Sequence, residues 1–343
     1  MPKNNFRLKH SIVLLIVTLL LFFLNISYGT VYIPKIEIFK ILTGKNIYNE
    51  TWEIIILQFR IPKAIMAVVS GMALSISGMQ MQTFFRNPIA GPYVLGITSG
   101  ASMGVAILVL GSTLLPYAWQ SFAQWPISLI SASFAGSILV LLAVLLVSQK
   151  IKNSSTLLIT GLMFGSFASA LVSVLSYFSS AESLQKFTFW SLGNLSNITW
   201  NEIYIILPII SLGLLLSFFS LKSLNTLLLG ENYAKSLGVN LNYLKILIII
   251  STGILTATIT AFAGPIAFIG IAVPHFSKLI FKSSNHYQLY FSCIFIGSCV
   301  MLICDMATQI PYKNIVLPIN AITSFIGAPV IIWLILYKNN RFT

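Results

Sequence analysis

Stretches of about twenty residues in which apolar side chains follow one another almost without charge recur along this chain. No water enters the ~30 Å hydrocarbon layer of a bilayer, so the backbone of such a run must bond to itself, which a helix does within one segment. The feature dictates an all-α integral membrane protein. Composition agrees: 57% of the 343 residues are hydrophobic and 8% are charged, where soluble domains carry about a quarter charged.

Ten spans are predicted, over residues 11–28, 62–84, 93–111, 125–148, 155–178, 203–221, 243–262, 266–281, 287–304 and 319–337. An even number puts both termini on one side. Lys3, Arg7 and Lys9 ahead of the first span also fit a signal peptide, but Ser27-Tyr28-Gly29 is a weak cleavage site and an uncleaved anchor is the preferred reading. With the N-terminus inside, thirteen of the twenty Lys and Arg fall on the cytoplasmic side, among them Lys150, Lys152, Lys222, Lys235, Lys338 and Arg341. Lys35, Lys40, Lys45, Arg60, Lys63, Lys186 and Lys313 fall outside. That bias supports cytoplasmic termini, and it accounts for the net charge of +13 without nucleic acid as a partner.

Several kinds of chemistry are missing. No G-x-x-x-x-G-K-[ST] phosphate loop occurs. His10, His275, His286, Cys293, Cys299 and Cys304 match no common metal-ligand spacing, and no catalytic cluster is visible. The chain is therefore not read as an enzyme, and no metal or cofactor is expected. Asp305 is the one acid near a span, whereas transporters driven by an ion gradient usually keep ionisable groups at membrane depth. A sodium site built of carbonyls and hydroxyls keeps an ion-coupled secondary transporter of inverted-repeat type as the alternative.

Small residues recur every fourth position: Gly96, Gly100 and Gly104 on the third span, and Gly161, Gly165, Ser169 and Ser173 on the fifth. Such faces let helices pack closely or line a passage. "AGPYVLGI" (90–97) after the second span is echoed by "AGPIAFIGI" (263–271) after the seventh, at junctions facing opposite sides. Interrupted segments in oppositely oriented halves point to an inverted repeat.

"GENYAKSLGVN" (230–240) is polar among greasy neighbours. A short helix over 231–237 is predicted, with Glu231 near its start, Gly238 as its C-terminal cap and Lys235 four residues after Glu231. A helix so short is marginal in water, so its own domain or a partner must hold it; a solvated loop is the other reading.

The chain resembles the FecCD-type permeases of bacterial ABC importers for iron–siderophore complexes, haem and cobalamin. The segments that carry the likeness are "RIPKAIMAVVSGMALSISGMQMQTFFRNPIAGPYVLGITSGASMG" (60–104), "GENYAKSLGVN", "GPIAFIGIAVPHFSKLI" (264–280) and "LPINAITSFIGAPVIIWLIL" (317–336). The resemblance implies a type II importer fold of ten helices in one transmembrane domain over 1–343, located in the bacterial cytoplasmic (inner) membrane. It implies a second permease subunit forming a dimer, cytoplasmic ATPase subunits and an extracytoplasmic solute-binding protein, with an iron complex as cargo. A cytoplasmic coupling region over 222–242 follows, in which Gly230, Glu231, Ala234, Lys235, Leu237 and Gly238 are the residues to meet the ATPase. Arg60 and Lys63 match a binding-protein docking position, for which interfacial anchoring is the alternative. Ser154 and Ser155 match the inner gate, and the small-residue faces are candidates for the pathway. Departures are Gly91, where many relatives have an acid, and, on the outer side, Gln309 and Val316 in place of an Arg and a Glu common in relatives.

Overall fold

The computed structural model describes residues 3–44, 49–114, 125–151, 154–309 and 316–339. Lys45, Lys152, Lys313 and Arg341 of the charge count lie outside the described residues. The α-helices are α1 (Lys3–Ser27), α2 (Lys35–Leu42), α3 (Glu50–Ile54), α4 (Ile61–Phe84), α5 (Ile97–Val109), α6 (Pro126–Lys150) and α7 (Ser154–Phe178). They continue with α8 (Ala181–Ser191), α9 (Trp200–Leu227), α10 (Glu231–Ser236), α11 (Leu241–Ala263), α12 (Ile269–Phe281), α13 (His286–Ala307) and α14 (Ile319–Asn339). Six helical stretches are long and apolar enough to cross a membrane, and shorter apolar helices in α1, α5, α12 and α14 bring the number to ten. Each predicted span thus has its helix.

The boundaries differ where the backbone has a reason to differ. The second span begins earlier than predicted, because α3 runs into α4 through a π-helical turn, Ile55–Arg60, giving 35 continuous residues. Trp200 Nε1 donates to Leu57 O at 2.8 Å within that turn. The third and eighth helices begin later, at Ile97 and Ile269. Each is preceded by a Gly-Pro segment that is not α-helical and is capped by a left-handed residue, Gly96 (φ 73°) and Phe268 (φ 67°). Both helices have 13 residues, a rise of about 20 Å, which is too short to span the hydrocarbon.

Non-helical backbone at membrane depth is tolerated only inside protein, and here its polar groups find partners. Gly96 N–H donates to Tyr93 O at 2.9 Å in the first break. At the second, Asn194 N–H donates to Ala263 O at 2.9 Å and Ala267 N–H donates to Asn320 Oδ1 at 3.1 Å. Gln82 Nε2 reaches Ile271 O at 3.0 Å just beyond.

The two halves use their elements alike: α4 packs on α12 and α13, and α11 packs on α5 and α6. Glycine lets these backbones meet. A Cβ at Gly78 of α4 would lie 1.6 Å from Gly270 O, and one at Gly71 would lie 2.1 Å from Gly297 O. Polar bonds tie the same frame: Gln80 of α4 donates to Ser220 Oγ on α9 at 3.0 Å and accepts from Ser251 on α11 at 3.1 Å. Burial is uneven. In α11, 72% of the most apolar window is buried; in α7 it is 22%. So α11 is interior and α7 keeps most of its surface open.

Gly78→Ala must push α4 and α12 apart at a backbone contact, at a cost of about 1–3 kcal/mol or more. Its melting temperature in detergent should fall clearly below that of the unchanged chain, while Ser166→Ala on the open face of α7 should leave it unmoved.

Candidate functional site

The helix α10 is built as the glycines and the polar run require. Gly230 enters it at φ 114° and Gly238 leaves it at φ 81°. Gly238 N–H donates to Lys235 O at 2.9 Å and Val239 N–H to Ala234 O at 3.0 Å, the two bonds of a Schellman C-cap. Asn240 then caps α11, its side chain accepting from Tyr243 N–H at 3.0 Å. Ala234 is fully buried in the cluster with Leu224, Leu227, Leu244 and Ile248, while Tyr233 and Leu237 are exposed. One residue anchors the helix, and its outer side is free. The predicted twenty-residue connection is mostly helix, because α9 continues through Leu227.

Glu231 does not take Lys235 as its partner. Ser154 Oγ, on the first residue of α7, donates to Glu231 Oε1 at 3.3 Å. Beside it, the buried Lys245 places Nζ 2.5 Å from Ser148 O and 3.0 Å from Ile151 O, at the carboxyl end of α6. A cavity of about 40 Å³ separates the two contacts, lined in part by Phe84, Leu157 and Leu227. The structure thus brings two sequence-predicted sets, Glu231 and Ser154, to one place. Ser155 is exposed beside them.

The small-residue stripes divide. Cβ atoms at Gly100 and Gly104 would lie 2.6 Å from Gly136 O and 2.1 Å from Ala132 O, so these glycines seat α5 on α6. Gly96 meets α7 at Gly161 and Gly165, and a Cβ at Gly161 would lie 2.3 Å from Val94 O. Ser169 and Ser173 of the same stripe are exposed. The reason is geometric: four residues turn a helix by about 400°, so the stripe drifts by about 40° at each step. By Ser173 it has left the contact with α5 and joined the open face of α7, where Ser166 and Phe167 also lie.

Where the π-helical turn enters α4, Arg60 and Lys63 both turn inward. Arg60 is buried and its guanidinium donates to Ile26 O at 2.9 Å, to Ser27 O at 3.4 Å and to Val31 O. These carbonyls cluster at the C-terminus of α1, where a cation is favoured. Lys63 Nζ pairs with Asp305 Oδ1 at 3.0 Å, and Asn25 Nδ2 donates to Asp305 Oδ2 at 2.9 Å. Asp305 is buried. Asn25, Arg60 and Lys63 border a cavity of about 300 Å³ with Tyr28, Ser196, Gln309 and Val316. Since α1 supplies Asn25, its removal would strip the Asp305 carboxylate of one donor.

One polar cluster went unnoticed in the sequence. Asn225 Oδ1 on α9 accepts from His286 N–H at 2.8 Å and lies 2.9 Å from the His286 ring Nδ1, while Nε2 lies 2.8 Å from Thr83 Oγ1. It joins α9, α13 and α4 near the start of α10. An Asn and a His far apart in sequence carry no spacing that could have announced it.

The model of the FecCD transport family matches residues 16–337. A vitamin B12 import system permease protein, BtuC, of Citrobacter koseri is 31% identical over 295 residues, covering 86% of this chain and 86% of that protein. Its namesake in Salmonella typhimurium is 32% identical over 285 residues, 83% of this chain and 84% of that one. Among solved structures, a metal-chelate type ABC transporter in an inward-facing conformation superposes with a TM-score of 0.81 at 27% identity, covering 96% of this chain and 99% of that one. PsaBC of Streptococcus pneumoniae, solved with a Fab, shares the fold at a TM-score of 0.51 and 16% identity over 85% of this chain and 93% of that one.

The Lys63–Asp305 ion pair makes its own prediction. Lys63→Met leaves Asp305 buried and without its cation, which should cost about 3–5 kcal/mol. Thermal unfolding in detergent should show a large loss for Lys63→Met, and recovery of most of it in the double variant Lys63→Met/Asp305→Leu.

Proposed function

We propose that this chain, which belongs to the FecCD transport family, is the membrane-spanning permease subunit of an ATP-binding-cassette importer. Its cargo is a metal chelate of the iron–siderophore, haem or cobalamin class. ATP hydrolysis belongs to a separate cytoplasmic subunit, in keeping with a sequence that holds no phosphate loop.

The observation that carries this reading is α10. A six-residue helix cannot hold itself in water, yet here both ends are fixed by glycine and one face is anchored through Ala234. Its other face offers Tyr233 and Leu237, and Leu228 and Leu229 lie exposed just before it. Apolar side chains grouped outside the membrane-spanning segments call for a partner. That partner is the ATPase, with Gly230, Glu231, Ala234, Lys235, Leu237 and Gly238 forming or shaping the contact and the region 222–242 acting as the coupling element.

The remaining roles follow the same geometry. The open face of α7 is the surface for a second permease subunit and for the pathway between the two, lined by Ser166, Ser169 and Ser173. No charged residue occurs in α7, which suits a bulky chelate that must slide without binding tightly. Gly96, Gly100, Gly104, Gly161 and Gly165 hold the supporting helices together. Ser154 and Ser155, at the base of α7, form the inner gate. The solute-binding protein docks at the outer mouth bordered by Arg60 and Lys63; both have their donors committed inside, so they offer positive potential for steering and register. The termini lie in the cytoplasm of the inner membrane, as the Lys and Arg bias directs.

The test is purification in mild detergent from native membranes, beside Gly238→Pro and Glu231→Arg. Gly238→Pro deletes the N–H that closes the cap and a φ that proline cannot adopt. An ATPase subunit retained by the unchanged chain and lost from both variants is the expected result. A stable chain that brings no ATPase and moves solute on an ion gradient alone would replace this reading with the secondary transporter.

A further inference from the structure

The connection between α6 and α7 is gripped from two sides by one stretch of chain. Lys245 closes its α6 end, where the terminal carbonyls of Ser148 and Ile151 converge on Nζ at 2.5 and 3.0 Å. Glu231 closes its α7 end through Ser154 at 3.3 Å. The signs are matched: a cation sits at a helix C-terminus and a carboxylate at a helix N-terminus. Both charges come from the α10–α11 segment. Between them, Ala234 fixes α10 in the cluster that contains Leu157 of α7 and Val144 of α6. Lys245 is buried, and Ile151, Ser154, Glu231 and Lys245 line one small pocket, so the two contacts are neighbours. Of the six long spanning helices α7 is the least buried; its glycine face holds it against the segment around Gly96, and its base is where the α10–α11 segment takes hold of it.

We infer that Glu231, Ser154 and Lys245 form an intramolecular clasp that makes the base of α7 follow α10, so that movement imposed on the short helix reaches the open face of α7 within the same subunit. The inference rests on the importer reading above and adds positioning residues to it. Ser154 is the responsive half, because one hydroxyl links α7 to the carboxylate. Lys245 is the fixed half, because two carbonyls of α6 hold it.

Carrying the test out in the complete complex with its ATPase keeps folding and assembly in view. Ser166→Cys on the open face of α7 provides a labelling site, since the three native cysteines are buried. The rate of maleimide labelling is read with and without ATP in vesicles. In the Ser166→Cys background, ATP should change that rate. Adding Ser154→Ala should reduce the ATP-dependent change about tenfold, the weight of one hydrogen bond to a charged group. Ser154→Thr, which keeps the hydroxyl, should restore it, and Glu231→Gln on top of Ser154→Ala should add little. An ATP response that survives undiminished in both Ser154→Ala and Lys245→Met overturns the clasp and leaves the importer standing. No ATP response with the clasp intact, in a complex that hydrolyses ATP, overturns the pathway on α7 and the clasp together.

Discussion

A chain that interrupts two helices at membrane depth must supply from its own atoms every hydrogen bond that water gives elsewhere. Asn194, Asn320 and Gln82 do this around Gly264–Phe268, and a 3-10 turn does it for itself at Pro92–Leu95. Those bonds hold only if the helices around them come close, and the glycine contacts of α4 with α12 and α13 bring them close. The broken helices, the stacked glycines and the buried amides are therefore one arrangement. Removing any of the three exposes the others to hydrocarbon.

That arrangement concentrates rigidity in α4, α11 and α13, whose interior is cross-linked by Gln80, Ser251 and the His286 cluster. The helix α7 stands apart, open along one side and fixed to the frame by its glycine face and its base. A transporter needs this contrast, because alternating access is largely the motion of one body against another about a fixed site. The capped helix α10 sits where the two parts meet, with Ala234 in the frame and Glu231 on the base of α7.

The ten spans were legible in the sequence because hydropathy reports burial in lipid directly, and the cap at Gly238 was legible because few residues accept its backbone angle. Partners across the chain were not. Glu231 was expected to favour Lys235, four residues on, but the fold offered Ser154, 77 residues away. Arg60 and Lys63 read as outward charges, yet buried carbonyls and Asp305 claim them, because a polar group taken out of water costs most when unpaired. The fifth-span stripe looked continuous, and only the 3.6-residue turn divides it between packing and the open face. Asn320 was visible inside an apolar motif, but its partner, the Ala267 amide, follows from a break whose position only the structure fixes.

The central claim is that energy enters from an ATPase through α10. The most direct measurement is uptake of a labelled ferric siderophore, of haem and of cobalamin, each with its binding protein, by cells expressing the complete system. Ion gradients are collapsed with ionophores in one arm and ATP is depleted in the other. The account predicts that one of the three chelates is taken up, that uptake continues without gradients, and that it stops without ATP. Uptake that collapses with the gradient and survives ATP depletion would contradict it.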